Sequence, residues 1–417
     1  MPDHVELGRR YAHVRATSLA LAAPISAEDA MVQSMADASP AKWHLAHTTW
    51  FFERFVLGAR AGYRPVDAQW DYLFNSYYQS VGPMHARPAR GLLSRPTLPT
   101  VLDYRHAVDA RIAARLAAGD LDDDAARVLL LGTHHEQQHQ ELLLTDIKHA
   151  FSCNPLAPAY RDDLPAPRGR GTPLRWIARD EAIATIGAPA WPAHDAFAFD
   201  SESPPHRVLV PAHALASRPV SNAEYAEFID DGGYADPALW MSEGWAAIET
   251  GAIVRPLYWH ADGAREFTLA GWRTRDPHAP ACHLSYFEAD AFARWAGARL
   301  PTEAEWEQAA TGMPVDGNFA DDGALHPRAA SGDDTGLHQL FGDVWEWTSS
   351  AYGCYPGFRP LPGALGEYNG KFMCGQWILR GGSCATPRDH VRASYRNFFA
   401  PPARWQFSGV RLARDAA

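Results

Sequence analysis

The residues of this chain whose types and spacing could do chemistry start with two histidines in the segment 133–149. The segment contains neither glycine nor proline, so it predicts a continuous helix. His135 and His139 are four positions apart and project from the same face of that helix, whereas His134 points away. Two imidazoles so placed can bind one metal ion, and a third ligand from elsewhere would complete one face of it. The alternative is a solvated polar helix face that happens to contain histidines.

The same segment also matches the zinc-peptidase pattern H-E-x-x-H, in which Glu136 would act as the base. The extended form of that pattern needs a glycine and a third histidine where this chain has Leu142 and Thr145. A downstream carboxylate such as Glu181 could still be a third ligand. A zinc peptidase is therefore a weaker alternative.

A second histidine pair lies in an upstream segment rich in aromatic residues. Ser39 and Pro40 suit the N-cap and first position of a helix there. His44 and His47 are three positions apart on it, so both could face inward. Either one is a candidate third ligand.

A long stretch without helical periodicity follows, over residues 67–97, and long ordered loops are often functional. Its Tyr77 and Tyr78 could supply a phenol for proton transfer. Its arginines could bind a carboxylate with their planar forks, or they could be solvated. These arginines are Arg87, Arg90 and Arg95.

The elements that must position these residues form two domains joined by a linker. Apolar periodicity predicts four long helices within residues 1–152, a bundle whose interior could hold a metal. Residues 153–175 are rich in Pro, Gly and Arg and read as a linker. Residues 176–417 read as a mixed α/β domain with much irregular structure and short helices. The short helices are expected at 222–230, 285–295 and 302–311, the last with a capping box.

Composition excludes several classes of protein. The 417 residues are 47% hydrophobic and 21% charged, as in a soluble globular protein of two or three domains. The formal net charge of −11 argues against nucleic-acid binding. The five cysteines form no C-x-x-C pair, so neither a disulfide framework nor a cysteine zinc site is indicated. No segment reads as a signal peptide or a membrane span, so a cytoplasmic location is expected.

Sequence motifs in both halves resemble one known family. KWHLAHTTWFFE and HHEQQHQELLLTDIKH resemble the DinB-like four-helix domain of ergothioneine-pathway sulfoxide synthases. PVSNAEYAEF, LPTEAEWEQAA, GDVWEWTSS, LRGGS and YRNFF with FSGVRLAR resemble the formylglycine-generating-enzyme, or sulfatase-modifying-factor, domain. The implied fold class is multidomain α and α+β, a DinB-like four-helix bundle followed by a C-type-lectin-like domain of the formylglycine-generating-enzyme type.

The resemblance implies a mononuclear non-haem iron(II) bound by three histidines where the two domains meet. When the ligand positions of the family motifs are carried over to this sequence, the ligands are His47, His135 and His139. His44 does not match a ligand position. The implied reaction joins a thiol sulfur to C2 of the imidazole of hercynine, Nα,Nα,Nα-trimethylhistidine, with dioxygen, and gives the sulfoxide. Three imidazoles leave three positions of an octahedral metal open for such partners.

The resemblance also implies substrate-binding residues. Gln138 and Asn397 match positions that meet the histidine-derived substrate, and Phe398 would offer an aromatic wall to its quaternary ammonium. Phe399 stands where family members that use γ-glutamyl-cysteine have an acidic residue. Tyr368 is set further back than the catalytic tyrosine of those members.

The NSYY motif instead resembles the branch that uses cysteine. Tyr77 and Tyr78 of that motif are therefore the candidates for proton delivery. Arg87, or nearly as well Arg90, would hold the carboxylate of cysteine.

The expected partners are hercynine, cysteine and dioxygen, with no nucleic acid, membrane or obligate protein partner. Four alternatives remain at this point. A selenium-transferring synthase would make the analogous C–Se bond on hercynine. A formylglycine-generating enzyme would need reactive cysteines, for which Cys374 and Cys384 have no recognisable spacing. The others are the zinc peptidase and a non-catalytic protein with an incidental metal.

Overall fold

A computed structural model describes residues 3–166, 169–331 and 336–416. The chain divides into two compact units. The first unit comprises Met1–Tyr160, Trp191–Phe197 and Pro360–Tyr368, and the remaining residues form the second. Two short segments from the later part of the sequence thus belong to the helical unit. Residues 167 and 168 of the predicted linker lie outside the described residues.

The first unit is helical. Its four long helices are those that the sequence predicts, and α5 alone has 31 residues. The helices are α1 (His4–Ala22), α2 (Ala41–Phe52), α3 (Trp70–Phe74), α4 (Leu98–Ala118) and α5 (Asp123–Cys153).

Local sequence explains where the last two long helices start and stop. The hydroxyl of Thr97 caps α4, and Gly119 ends it with a φ of 64°, a conformation that glycine adopts without steric cost. The acidic run that follows supplies Asp122, whose carboxylate accepts the Ala125 N–H and caps α5.

Two predictions for this unit are wrong in detail. Ser39 does not cap α2, because its hydroxyl accepts a hydrogen bond from Arg90 and Pro40 occupies the cap position. The stretch 67–97 is not without helix, since it contains α3 and a 3-10 helix at Arg87–Leu92. Both helical pieces are only one or two turns long, too short to show a periodic apolar pattern.

The apolar faces of the long helices form the core of the first unit. Burying each large aliphatic or aromatic side chain stabilises the fold by about 1.5–3 kcal/mol. The core includes Leu7, Tyr11, Val14, Trp50, Phe51, Phe52, Val101, Val108, Ile112, Leu129 and Leu144, all at most 4% exposed.

The second unit combines short strands with short helices. The strands are β1 (Trp176–Arg179), β2 (Ala182–Ile186), β3 (His206–Val210), β4 (His213–Ala216), β5 (Arg265–Thr268), β6 (Gly271–Thr274), β7 (Trp345–Ala351), β8 (Trp377–Arg380), β9 (Asn397–Phe399), β10 (Ser408–Gly409) and β11 (Ala413–Asp415). A four-stranded sheet has the order β10-β7-β8-β9, a three-stranded sheet the order β1-β4-β11, and β2-β3 and β5-β6 form two-stranded sheets.

The helices of the second unit include the three that the sequence predicts. The helices are α6 (Asn222–Asp230), α7 (Ser242–Glu249), α8 (Tyr286–Trp295) and α9 (Glu303–Ala310). Capping boxes start α6, α8 and α9, in which a serine or threonine and a glutamate three residues on satisfy each other's backbone N–H groups. Among the helices described, none combines the length and apolar character needed to cross a bilayer.

Candidate metal centre

Three buried histidines of the first unit converge on one point. His47 comes from α2, and His135 and His139 come from successive turns of α5. One ring nitrogen of each lies within 4.8 Å of the corresponding nitrogens of the other two. The side chains are 0%, 4% and 8% exposed. Burial matters here because a metal bound in such a place keeps no competing shell of bulk water.

Hydrogen bonds fix the tautomer of His47. Its Nδ1 lies 2.5 Å from the carbonyl oxygen of Phe74, which can only accept, so Nδ1 carries the proton. The Nε2 lone pair is then free, and Nε2 lies 3.3 Å from Nε2 of His135. This is the arrangement of a metal-binding imidazole whose other nitrogen donates to a carbonyl.

His44, the alternative third ligand, is not part of this cluster. Its Nδ1 lies 2.8 Å from Nδ1 of His139, and its Nε2 lies 3.0 Å from a carboxylate oxygen of Asp146. The contacts therefore distinguish His44 from His47, although their spacing puts both on the same face of α2. The residues present suit a divalent metal such as iron or zinc, since three neutral nitrogen donors leave further coordination positions open.

The histidine cluster makes folding sensitive to acid. Burial lowers the pKa of His47 and His139 well below the usual range, and it lowers the pKa of His135 to about 3. A histidine in the unfolded chain has a pKa of about 6.5, so below that pH the unfolded chain binds more protons than the folded one. Stability is therefore lost as pH falls from about 6.5 towards the folded-state pKa.

Below pH about 6.5, we expect the free energy of unfolding of the metal-free protein to fall by about 1.4 kcal/mol per pH unit for each histidine that stays neutral in the folded state. Thermal unfolding between pH 7 and pH 5 measures this slope. The variant His135→Gln should reduce it by about one histidine's share, whereas His106→Gln, at an exposed position of α4, should leave it as it is. Equal slopes in the wild type and His135→Gln would contradict the prediction.

Glu136 is not placed to act as a peptidase base. It is 1% exposed and accepts hydrogen bonds from Arg15, Arg105 and Ser18. Burial alone would raise the pKa of a carboxyl, but the two arginine charges lower the pKa of Glu136 below its usual range. These hydrogen bonds connect α5 with α1, which carries Arg15 and Ser18, and with α4, which carries Arg105. The other peptidase candidate, Glu181, lies exposed between β1 and β2.

The predicted tyrosines lie beside the cluster. The Tyr77 hydroxyl is 3.3 Å from Nε2 of His135, and the Tyr77 ring lies 4.8 Å from the Tyr78 ring, between centroids. Burial raises the pKa of both phenols well above the usual value, so both keep their protons at neutral pH. The Tyr77 hydroxyl therefore lies next to a histidine of the cluster.

A segment far along the chain packs on this tyrosine loop. The Tyr368 ring lies 5.0 Å from that of Tyr77, between centroids. The carboxylate of Glu367 accepts the backbone N–H groups of Gln79 and Ser80 at 2.9 and 3.0 Å. Tyr368, which the sequence sets aside as too far back, is therefore a neighbour of the proposed site.

The two arginines that the resemblance favours as carboxylate partners differ in their surroundings. Arg87 is exposed, and it donates to the backbone carbonyl of Asp37. Arg90 is 3% exposed, donates to the hydroxyls of Ser39 and Ser76, and has no partner for its Nε among the described residues. Burial and then the charge of Arg87 lower the pKa of Arg90 to about 9, and the charge of Asp146 offsets this only in part.

Trp43, which is not among the predicted site residues, links Arg90 to the cluster. The guanidinium of Arg90 lies 3.4 Å from the centre of the Trp43 ring. The same ring stacks on His47, with 4.5 Å between centroids and an interplanar angle of 11°. Its position four residues before His47, on one helix face, is the signal that could have identified it.

The remaining predicted substrate residues are spread over both units. Gln138 lies partly buried on α5, one turn after His135. Asn397, Phe398 and Phe399 form β9 of the second unit. Phe398 stacks on Tyr352 at 4.1 Å between centroids, and Phe399 packs edge-to-face on Trp405 at 5.7 Å. Their roles towards a substrate stay predictions.

Known families match both halves of the chain. Residues 10–143 match the DinB superfamily, and residues 185–333 and 323–416 match the sulfatase-modifying factor enzyme 1-like domain. The chain is 34% identical over 416 residues to the hercynine oxygenase of Mycolicibacterium smegmatis, covering 90% of this chain and 91% of that protein. The chain belongs to the hercynine oxygenase family. The resemblance read from the motifs is thereby confirmed, and the protein is an oxidoreductase.

Other relatives agree with the family. The hercynine oxygenase of Mycolicibacterium thermoresistibile is 33% identical over 448 residues, covering 100% of this chain and 96% of that protein. A formylglycine-generating enzyme of Mycobacterium tuberculosis is 31% identical over 220 residues, but the match covers only 39% of this chain and 71% of that enzyme. Membership of the hercynine oxygenase family accounts for both units, whereas a formylglycine-generating enzyme leaves the histidine cluster unexplained.

Proposed function

We propose that this protein joins the sulfur of cysteine to C2 of the imidazole ring of hercynine, using dioxygen and a non-haem iron(II). The C2–H and S–H bonds break and a C–S bond forms. One oxygen atom of O₂ is added to the sulfur and the other leaves as water, so four electrons pass from the two substrates to O₂. The product is a sulfoxide in the pathway to ergothioneine.

The observation that carries this proposal is the cluster of His47, His135 and His139. The three nitrogen donors come from facing core helices, and none of the three side chains is more than 8% exposed. Family membership supports hercynine as one substrate, because relatives of similar length carry that name. The iron, once bound, would supply the one-electron chemistry with oxygen that amino-acid side chains cannot.

The residues around the cluster would bind and orient the substrates. The Phe74 carbonyl holds the ring of His47, and the Trp43 ring shields its face from water. The hydroxyl of Tyr77 holds a proton 3.3 Å from His135, within reach of a reacting group bound beside it. Tyr78, whose ring lies 4.8 Å from that of Tyr77 between centroids, is the neighbouring phenol that would resupply that proton.

Replacing Tyr77 by phenylalanine is expected to lower kcat for the sulfoxide by about 100-fold or more, as loss of a general acid typically does. Tyr78→Phe should cost less, since its hydroxyl acts through Tyr77. Steady-state oxygen consumption and product mass measure both. Tyr72→Phe, at an exposed position of α3, is the matched control and should keep wild-type kcat. A Tyr77→Phe enzyme with wild-type kcat would remove the residue from the mechanism.

The deciding experiment reconstitutes the purified chain with iron(II) without oxygen and then adds oxygen and hercynine. Cysteine, γ-glutamyl-cysteine and a selenium donor are offered in parallel, and products are identified by mass. The proposal predicts the cysteine sulfoxide as the main product. A main product with a C–Se bond would favour the selenium alternative, and no product from any donor would refute the proposed reaction.

A further inference from the structure

His44 and Asp146 have no place in the proposed reaction, yet both are buried beside the histidine cluster. His44 is 3% and Asp146 is 5% exposed. His44 lies one turn before His47 on α2, and Asp146 lies seven positions, or two turns, after His139 on α5. The imidazole of His44 contacts Nδ1 of His139, and the carboxylate of Asp146 contacts the other nitrogen of His44.

The protons in this chain of groups can be placed from the acceptors. Asp146 is a carboxylate and can only accept, so the His44 Nε2 at 3.0 Å carries a hydrogen. A neutral His44 then has a bare Nδ1, which accepts from Nδ1 of His139 at 2.8 Å. His139 consequently carries its hydrogen on Nδ1 and keeps a lone pair on Nε2. Only that tautomer can bind a metal through Nε2.

The carboxylate itself is held from a second side. The same oxygen of Asp146 accepts the backbone N–H of Ser39 at 2.7 Å. Ser39 lies just before α2, so this bond joins the start of α2 to α5. The orientation of Asp146 is thus set by backbone, and through His44 it sets the ring of His139.

We propose that Asp146 and His44 are positioning residues that hold His139 in its metal-binding tautomer. This inference rests on the proposed function, in which His139 binds iron(II). Partners of this kind orient the ligating ring and raise its basicity, and their loss typically weakens metal binding by about 10- to 100-fold. The same relation holds for His47, whose partner is the Phe74 carbonyl.

The test compares iron(II) affinity in full-length variants by anaerobic competition with a chelator. Cobalt(II), added in place of iron, reports ligand geometry through its visible absorption. His44→Ala removes the acceptor for His139, and Asp146→Asn removes the charge and lets an amide donate to His44, which would favour the wrong tautomer. His44→Asn places an oxygen near the original Nδ1 and should partly rescue binding.

Glu53→Gln is the matched control. Glu53 is also a buried carboxylate of this unit, 4% exposed, and it accepts from Tyr63, Val66 and Tyr104. It should lower the thermal stability of the metal-free protein without changing iron affinity or the cobalt spectrum. A loss of affinity in Glu53→Gln equal to that in Asp146→Asn would show general loosening and overturn the inference.

The expected result is a 10- to 100-fold weaker iron(II) affinity in His44→Ala and Asp146→Asn, with a shifted cobalt spectrum. Wild-type affinity and spectrum in either folded variant would overturn the inference. Should His44→Ala fail to fold, Asp146→Asn decides alone. A wild-type chain that binds iron but makes no sulfoxide would refute the proposed reaction while leaving this comparison decisive. A wild-type chain that binds neither iron nor cobalt would overturn both.

Discussion

Alanine in place of His135 is expected to abolish both iron retention and sulfoxide formation. The remaining pair, His47 and His139, would offer two nitrogen donors instead of three. The vacated position is buried, with His135 only 4% exposed, and alanine supplies no donor atom to replace the lost nitrogen. Iron per chain after anaerobic reconstitution and gel filtration, followed by an activity assay, measures the effect.

His134→Ala is the matched control because it changes the same residue type at the adjacent position of α5. The His134 ring stacks on Phe197, with 3.9 Å between centroids, and is not one of the three converging histidines. This variant should keep about one iron per chain. Full iron content and full turnover in His135→Ala would exclude the assigned ligand set.

Zinc distinguishes the proposed oxygenase from the peptidase alternative. Zinc has no redox chemistry, so it should occupy the cluster and give an inactive protein. A peptidase would instead need zinc and a free carboxylate base. The three donors on Glu136 leave no such base at that position.

The helices could be predicted wherever the sequence carries both periodicity and caps. Helix α5 follows from an uninterrupted segment after an acidic turn, and α9 follows from the capping box of Thr302 and Glu305. Helix α7 escapes prediction because it is eight residues long, contains Gly244 and has Met241 at its N-cap, which makes no side-chain cap. Short helices of this kind depend on tertiary packing rather than on local signals.

From the sequence, the site could be predicted only where its residues lie a few positions apart on the same helix. The four-residue interval puts His135 and His139 on one helix face, but the same reasoning leaves His44 and His47 equivalent. The contacts of each ring with α5 and the Phe74 carbonyl separate them, and those depend on the packing of facing helices. The contact of Glu367 with Gln79 spans 288 positions of sequence, so no local pattern could reveal it.

Burial changes which arginine we propose to bind the carboxylate of cysteine. Resemblance favours Arg87, which is exposed and bonded to a backbone carbonyl. Arg90 is buried, stacks on Trp43, and donates only to uncharged hydroxyls among its described partners. A buried guanidinium whose hydrogen bonds go to neutral hydroxyls is costly, and a substrate carboxylate would relieve that cost. We therefore transfer the proposed clamp to Arg90 and keep Arg87 as the comparison.

The thiol donor is expected to be cysteine rather than γ-glutamyl-cysteine. Cysteine needs one cationic partner for its carboxylate, which Arg90 can supply. The γ-glutamyl group adds an ammonium and a second carboxylate, and leaving that ammonium buried without a partner would cost about 1–3 kcal/mol. The acidic residue that the resemblance implies for γ-glutamyl-cysteine users is Phe399 here, and its ring packs on Trp405 without any hydrogen-bonding group.

Comparing kcat/KM for the two thiols in wild type and arginine variants tests both parts of this prediction. Arg90→Ala should raise the KM for cysteine by about 10- to 100-fold, because a hydrogen bond to a charged group contributes about 1.5–3 kcal/mol. Arg90→Lys should lie between, since it keeps the charge but loses the planar fork. The KM for hercynine should stay unchanged, which separates loss of the clamp from a general distortion of the site. Arg87→Ala should have a smaller effect than Arg90→Ala, because an exposed cation is screened by water. A wild-type preference for γ-glutamyl-cysteine would contradict the donor assignment, whereas an unchanged cysteine KM in Arg90→Ala would contradict only the clamp.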